Sequence, residues 1–274
     1  QGGPPDFAFD IVTSSSILSS QGVVEYDGIY YWPGVDRFLM FNGVQREMQN
    51  DLNQNWFYEG LNFSARQKVF GIKIPRFGEI WWCYPRGNAT ECTHAVIYNV
   101  RDNFWYDTAL PGQDGIDQGR TSGVFANVYE KPFMVDNEIT PNGRTLWQHE
   151  TAYDQIRAST VSAIQSYFET GEITLLEQGQ STKSLRVARI EPDFVQIGDM
   201  TLQVDGRANA KATPVLGDSR ECFAVPSEPT EETIKVKDIR RLMSFRWESN
   251  VQGGYYEYGD TYAHVEPADG RVES

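Results

Sequence analysis

The stretch VVEYDGIYYWPGVDRFLMFNGVQREM, residues Val23–Met48, decides the fold class. Its runs of β-branched and aromatic residues, Val23–Tyr26, Ile29–Trp32, Arg37–Phe41 and Val44–Met48, are separated by Asp27-Gly28, by Pro33-Gly34-Val35-Asp36 and by Asn42-Gly43. Asp-Gly and Asn-Gly supply the positive φ angles of two-residue hairpin turns, and Pro-Gly opens a slightly longer turn. The stretch therefore predicts a four-stranded antiparallel meander. It contains no cluster of residue types that does chemistry.

The pattern recurs downstream. After Asn50–Ser64, where Leu52, Trp56, Phe57 and Leu61 fall at helical intervals and predict one short connecting helix, come Gln67–Ile74, Glu79–Tyr84, Thr93–Val100 and Asn103–Ala109. Each is strand-length, and each is bounded by turn chemistry at Pro75–Gly78, Pro85–Asn88 and Arg101–Asn103. A looser third group follows: Gly123–Tyr129, Lys131–Asp136, and Thr145–Tyr153 after Pro141-Asn142-Gly143. Groups of four strands at a period near 40–50 residues are how propeller blades read in sequence. Two blades and part of a third do not close a ring, which leaves completion by further sequence or another chain, or packing of the sheets as a sandwich.

Beyond Ser159 the strands lengthen: Val161–Thr170, Glu172–Leu176, Ser184–Ile190, Phe194–Val204 interrupted at Gly198-Asp199, Thr233–Val236, Leu242–Ser249, Gly254–Tyr258 and Tyr262–Glu266. Ala208–Ser219 reads as a polar loop, Pro226–Glu232 as an acidic connector, and Phe7–Val12 as an edge strand ahead of a Ser-rich linker. The expectation is an all-β chain. Residues 1–157 form a propeller-like β-meander domain, and residues 158–274 an antiparallel β-sandwich or jelly-roll-like domain.

With 24 basic and 38 acidic residues the net charge is -14, divided evenly on either side of Arg157. Such a balance disfavours adhesion to phosphate-rich nucleic acid or anionic membrane. Membrane insertion is not expected, because no run of about 20 apolar residues occurs. Three cysteines, Cys83, Cys92 and Cys222, make no complete disulfide framework and no zinc-ligand spacing, and read as small packing residues of a reducing compartment. A start at Gln1 without a leader pattern reads as a fragment or processed piece of something longer.

Few residues are spaced for chemistry. His149 and Glu150 are adjacent in a strand-like run, so they point to opposite faces, while His94 and His264 lack ligand-spaced neighbours. Gly217-Asp218-Ser219 resembles an esterase signature, but in a polar loop of a chain without α/β pattern. Asp36, Glu79 and Asp107 are glycosidase-type carboxylates that sequence does not separate from solvated strand ends. Asn62-Phe63-Ser64 and Asn88-Ala89-Thr90 match the glycosylation pattern by chance alone. Aromatic runs Tyr30–Trp32, Trp81-Trp82 and Phe104–Tyr106 read as core and interface residues. No catalytic, cofactor-binding or metal-ligating residue is assigned.

Certain of these residues carry a family resemblance. Asp27–Trp32 followed by Phe38–Gly43, Glu79–Trp82 with Tyr84-Pro85, Tyr98-Asn99 leading to Trp105-Tyr106, Leu146–Tyr153, Arg189–Phe194 with Gly198, and Pro267–Arg271 make the chain resemble the C-terminal portion of hub, nozzle or packaged-DNA-stabilisation proteins from the tails of short-tailed bacteriophages. The resemblance implies a non-enzymatic virion component built of propeller-like and sandwich-like β domains and assembled in the host cytoplasm. It further implies a homo-oligomeric ring between a portal or adaptor ring and fibre or needle proteins, around a conduit through which DNA passes without specific binding. The alternative reading is a propeller glycosidase or carbohydrate-binding module acting at the bacterial surface.

Overall fold

The computed structural model describes residues 14–49, 52–110, 119–137, 143–157, 159–174, 184–225 and 233–268, with Ile11 and Pro141. The chain is all-β, with antiparallel sheets throughout. It divides into two compact units, Gln1–Thr151 and Ala152–Ser274, the division falling just ahead of the boundary read from the sequence.

In the first unit, β1 (Val24–Tyr26), β2 (Ile29–Pro33), β3 (Phe38–Phe41) and β4 (Gln45–Glu47) form a four-stranded sheet in chain order. The Asp27-Gly28 turn has φ of 50° and 79° at its two central residues, as a two-residue hairpin of this hand requires. Helix α1 (Asn53–Gly60) follows, then a 3-10 helix, Phe63–Lys68, that the sequence reading missed. Asn62 caps that second helix by accepting from Ser64 N at 3.2 Å and donating to the Ala89 carbonyl at 2.9 Å, so its glycosylation-like amide is used inside the fold. Next, β5 (Phe70–Ile74), β6 (Glu79–Tyr84), β7 (His94–Asn99) and β8 (Phe104–Ala109) repeat the four-stranded meander.

The two faces of this second sheet bury different cores. Ile80, Trp82, Tyr84, Val96, Tyr98 and Trp105 share one core with Val24, Tyr31 and Phe38 of the first sheet and Phe57 of α1. Phe70, Ile72, Cys83, Ala95 and Ile97 share the other with Met134. Period-2 alternation produces both: Trp82 lies opposite Val96, and Trp81, one residue away, lies opposite Ile97 on the reverse face. Met134 belongs to a third sheet, β9 (Arg120–Ala126), β10 (Lys131–Asp136) and β11 (Leu146–Gln148), ordered β11-β10-β9. The three sheets are thus stacked face to face.

The third group departs from its expected bounds. β9 starts at Arg120 and ends at Ala126, because Val128 and Tyr129 lie in the turn, where Tyr129 N donates to the Ala126 carbonyl and Glu130 takes φ 52°. β11 stops at Gln148, since Glu150 adopts φ 56° and breaks the extended run expected to Tyr153.

In the second unit, β12 (Asp154–Arg157) pairs with β13 (Thr160–Ala163). The remaining strands are β14 (Ser166–Glu169), β15 (Ser184–Glu191), β16 (Phe194–Ile197), β17 (Met200–Arg207), β18 (Val215–Cys222), β19 (Ile234–Arg240), β20 (Leu242–Ser249), β21 (Tyr255–Tyr258) and β22 (Tyr262–Ala268). A four-stranded sheet, β14-β20-β17-β18, and a three-stranded sheet, β19-β15-β22, contribute Leu202, Val204, Met243 and Trp247 on one side and Val187, Ile190, Ile234 and Val236 on the other to a common core. β16 pairs with β21 alone.

The single strand expected over Val161–Thr170 is two strands, because the chain leaves the β12–β13 hairpin and pairs with β20 from Ser166 onward. Within the run expected over Glu172–Leu176, Ile173 makes a ladder contact, exchanging backbone hydrogen bonds with Met243 at 2.7 and 3.1 Å, and residues 175 and 176 lie outside the described residues. The loop expected over Ala208–Ser219 gives way to β18 at Val215. Its polar residues suit an edge strand with a solvated face. Pro226–Glu232 and most of Phe7–Val12 lie outside the described residues.

Candidate functional site

Every carboxylate singled out from the sequence occupies a different environment. Asp36 sits in the β2–β3 turn and lines a groove of ≈ 370 Å³ with Ser15, Arg37, Gln45 and Glu47. Arg37 donates to Asp36 at 3.1 and 2.7 Å and to Glu47 at 3.1 Å. These bonds hold the Asp36 carboxyl below its ordinary pKa, the reverse of what a general acid needs. Asp107 lies on the face of β8 directed toward the first core and accepts from Asn53 Nδ2 at 3.0 Å. Glu79 lies on the opposite face of the same sheet, in register with Asn99. The three therefore do not converge.

Glu79 has its own neighbours. Its carboxylate accepts from the Tyr106 hydroxyl and, at 2.7 Å, from Trp81 Nε1. Glu150 is half-buried, and burial followed by repulsion from Glu79 raises its carboxyl pKa. Glu150 thus feels the charge of Glu79. Both Glu79 oxygens are already engaged by side chains of the sheet, so the pair reads as a polar seam between strands.

The histidines are equally dispersed. His94 Nδ1 is 3.0 Å from Thr93 Oγ1, and His264 Nε2 is 2.6 Å from Glu191 Oε1 on the second unit. His149 lies just beyond β11, where Arg120 Nε donates to its Nε2 at 3.4 Å. Burial, then the adjacent Arg120 charge, pushes the imidazole down to about 4, so it is neutral at physiological pH. Arg120 itself is buried, with Cζ 5.7 Å from the Trp147 ring and Asp136 paired across the ladder. Asp136 accepts from Thr145 N and from Trp147 Nε1, each at 3.0 Å. These contacts bind the inner face of the third sheet together.

All three cysteines are buried, and burial raises their thiol pKa values, to about 12 for Cys83 and about 11 for Cys222. Among the described residues no group of three or more His, Cys, Asp or Glu side chains is placed to hold a metal ion. No described helix is long and apolar enough to cross a membrane. Ser219 stands on β18, and the preceding Gly217 has a packing reason: a Cβ there would come 2.0 Å from the Val204 carbonyl oxygen.

What the third sheet does present is an apolar outer face. Alternation in β10 turns Pro132, Met134 and Asp136 inward and Lys131, Phe133 and Val135 outward. Val124 lies opposite Phe133, and Leu146 opposite Val135, so these side chains form one patch, with Gln148 and Ser122 as the polar residues in register on the other sides of Phe133 and Val135. Val124 is 61% exposed and Leu146 62%. The Tyr129 ring, also largely exposed, meets Phe133 edge-on at 5.5 Å. Sequence reasoning marked these strands without marking this face, because outward apolar residues follow the same period as inward ones.

No protein-family model matches this chain, and no curated protein matches it significantly.

Proposed function

We propose that the chain is a structural subunit of the tail of a short-tailed bacteriophage, a hub or nozzle component that works through assembly in a ring. One observation carries the reading: the stack of three sheets ends on an outward face of Val124, Phe133, Val135, Leu146 and Tyr129. Within the stack, the second sheet buries both of its faces against neighbouring sheets. A terminal sheet with an apolar outer face offers the same kind of stacking surface to another chain, and aromatic and aliphatic anchors of this sort dominate permanent interfaces.

On this reading the stacked meanders are blades of an incomplete propeller, the second unit is a β-sandwich, and copies of the chain complete the ring. A net charge of -14 suits a conduit, since an acidic wall repels phosphate and lets DNA slide. Partners above and below the ring are a portal or adaptor ring and fibre or needle proteins.

Native mass spectrometry of the purified chain tests the reading. Ring assembly predicts oligomers that grow with concentration and are lost in Leu146→Glu. A monomer at every concentration that cleaves bacterial-surface polysaccharide would replace this reading with the glycosidase one.

A further inference from the structure

The connection between β3 and β4 leaves its own polar groups to solvent. Phe41 pairs with Gln45, so Asn42, Gly43 and Val44 span the turn, and all three are exposed. Among the described residues, neither the Asn42 side-chain amide nor the Gly43 N–H has a hydrogen-bond partner. Gly43 takes φ 101°, and a Cβ built there would meet nothing within 4 Å, so the Asn42–Gly43 peptide turns without collision. Comparable positions nearby are occupied. Gly28 N, after Asp27, donates to Glu25 Oε1 at 2.8 Å, and Ala89 N, after Asn88, donates to the Arg86 carbonyl at 3.1 Å. Asn62 spends both ends of its amide on Ser64 N and the Ala89 carbonyl. Asn127 and Asn250 precede valine, whose branched side chain crowds the peptide nitrogen, and Asn142, which also precedes glycine, lies outside the described residues.

We infer that Asn42 is a site of spontaneous covalent modification, deamidation through a cyclic imide, with water as the co-reactant. The Gly43 backbone nitrogen attacks Asn42 Cγ. The new N–Cγ bond forms as the Cγ–Nδ2 bond breaks, and Nδ2 leaves as ammonia with the proton that Gly43 N gives up. Water then opens the ring. Opening at Cγ gives aspartate, whereas opening at the Asn42 backbone carbonyl gives isoaspartate, with the main chain routed through Cγ. No oxidation or reduction occurs. Either product adds a negative charge, and isoaspartate also lengthens the backbone between Phe41 and Gln45, at the start of β4, the edge strand of its sheet. The inference does not depend on the assembly reading, since it needs one hairpin of one chain.

Incubation of the intact protein in mildly alkaline buffer, followed by peptide mapping in acid, tests the site. The peptide holding Asn42 should gain about 1 Da, the exchange of NH for O, and separate into two products, of which one accepts methyl groups from an isoaspartyl methyltransferase. The folded protein should react no more than about tenfold slower than the chain unfolded in urea, because no hydrogen bond to the attacking nitrogen has to be broken first. Asn42→Gln should remove the product, since its longer side chain closes a six-membered ring far more slowly. The comparison with urea carries the test if that variant fails to fold. A folded rate slower than the unfolded one by more than about tenfold would overturn the inference, as would a mass gain that survives Asn42→Gln at the same rate or isoaspartate that forms at Asp27 ahead of Asn42.

Discussion

Truncating Phe38 to alanine should loosen the first two sheets together. The Phe38 side chain is 0% exposed, and its ring centroid lies 5.1 Å from Phe57, 5.1 Å from Trp82 and 4.9 Å from Trp105. It thus joins β3, α1, β6 and β8 in one core. A buried Phe→Ala change costs about 3–5 kcal/mol through lost transfer energy and the cavity left behind. Of these three pairs the one with Phe57 is edge-on and the other two are tilted; an aromatic pair of this kind adds roughly 0.5–1.5 kcal/mol beyond area, which places Phe38→Ala toward the upper end. With a urea slope of about 2 kcal/mol per M, the unfolding midpoint should fall by roughly 1.5–2.5 M. Hydrogen exchange read by mass spectrometry should show β1–β3 and β6–β8 losing protection in step. A loss below about 1 kcal/mol, or protection lost in β1–β3 alone, would refute the shared core.

His149 supplies a pH dependence. Its folded pKa of about 4 lies below the unfolded value of ~6.5, so stability is full above about pH 6.5 and falls as the pH drops toward 4, because only the unfolded chain takes up the proton. The loss should reach at most about 3 kcal/mol, and urea midpoints between pH 7 and 4.5 should decline less steeply in His149→Gln than in the parent protein. Gly217→Ala should destabilise the second unit by about 1–3 kcal/mol, since the new methyl meets the Val204 carbonyl backbone; an unchanged melting temperature would show that β17 and β18 separate freely. Leu146→Glu, at an exposed position, should shift stability by no more than about 0.5 kcal/mol while weakening self-association in sedimentation velocity. Iodoacetamide should leave Cys83, Cys92 and Cys222 largely unmodified in the folded protein and label all three in urea, as measured by intact mass.

The meanders were legible because turn chemistry and period-2 alternation coincide. Asp27-Gly28 and Asn42-Gly43 punctuate the first sheet where the sequence placed them, and Gly198, at φ 86°, separates β16 from β17. β18 was hidden because an edge strand tolerates polar residues such as Asp218 and Ser219 that otherwise signal a loop. The end of β11 was hidden because the left-handed conformation at Glu150 is a decision of tertiary packing, with Lys131 Nζ bonded to its carbonyl, and carries no residue signature. Among candidate sites, the dispersal of Asp36, Glu79 and Asp107 follows from strand parity: Glu79 and Asp107 fall on opposite faces of one sheet once the β6–β7–β8 register is known. The outer face of the third sheet could not be read in advance. It depends on which sheet covers which, and residues such as Val124 and Leu146 look alike in sequence whether buried or bare.

Electron microscopy of short-tailed phage particles in which this chain carries an affinity label tests the assembly account most directly. The account predicts label density in a symmetric ring centred on the tail axis. Particles without label, or label in isolated off-axis copies, would contradict it.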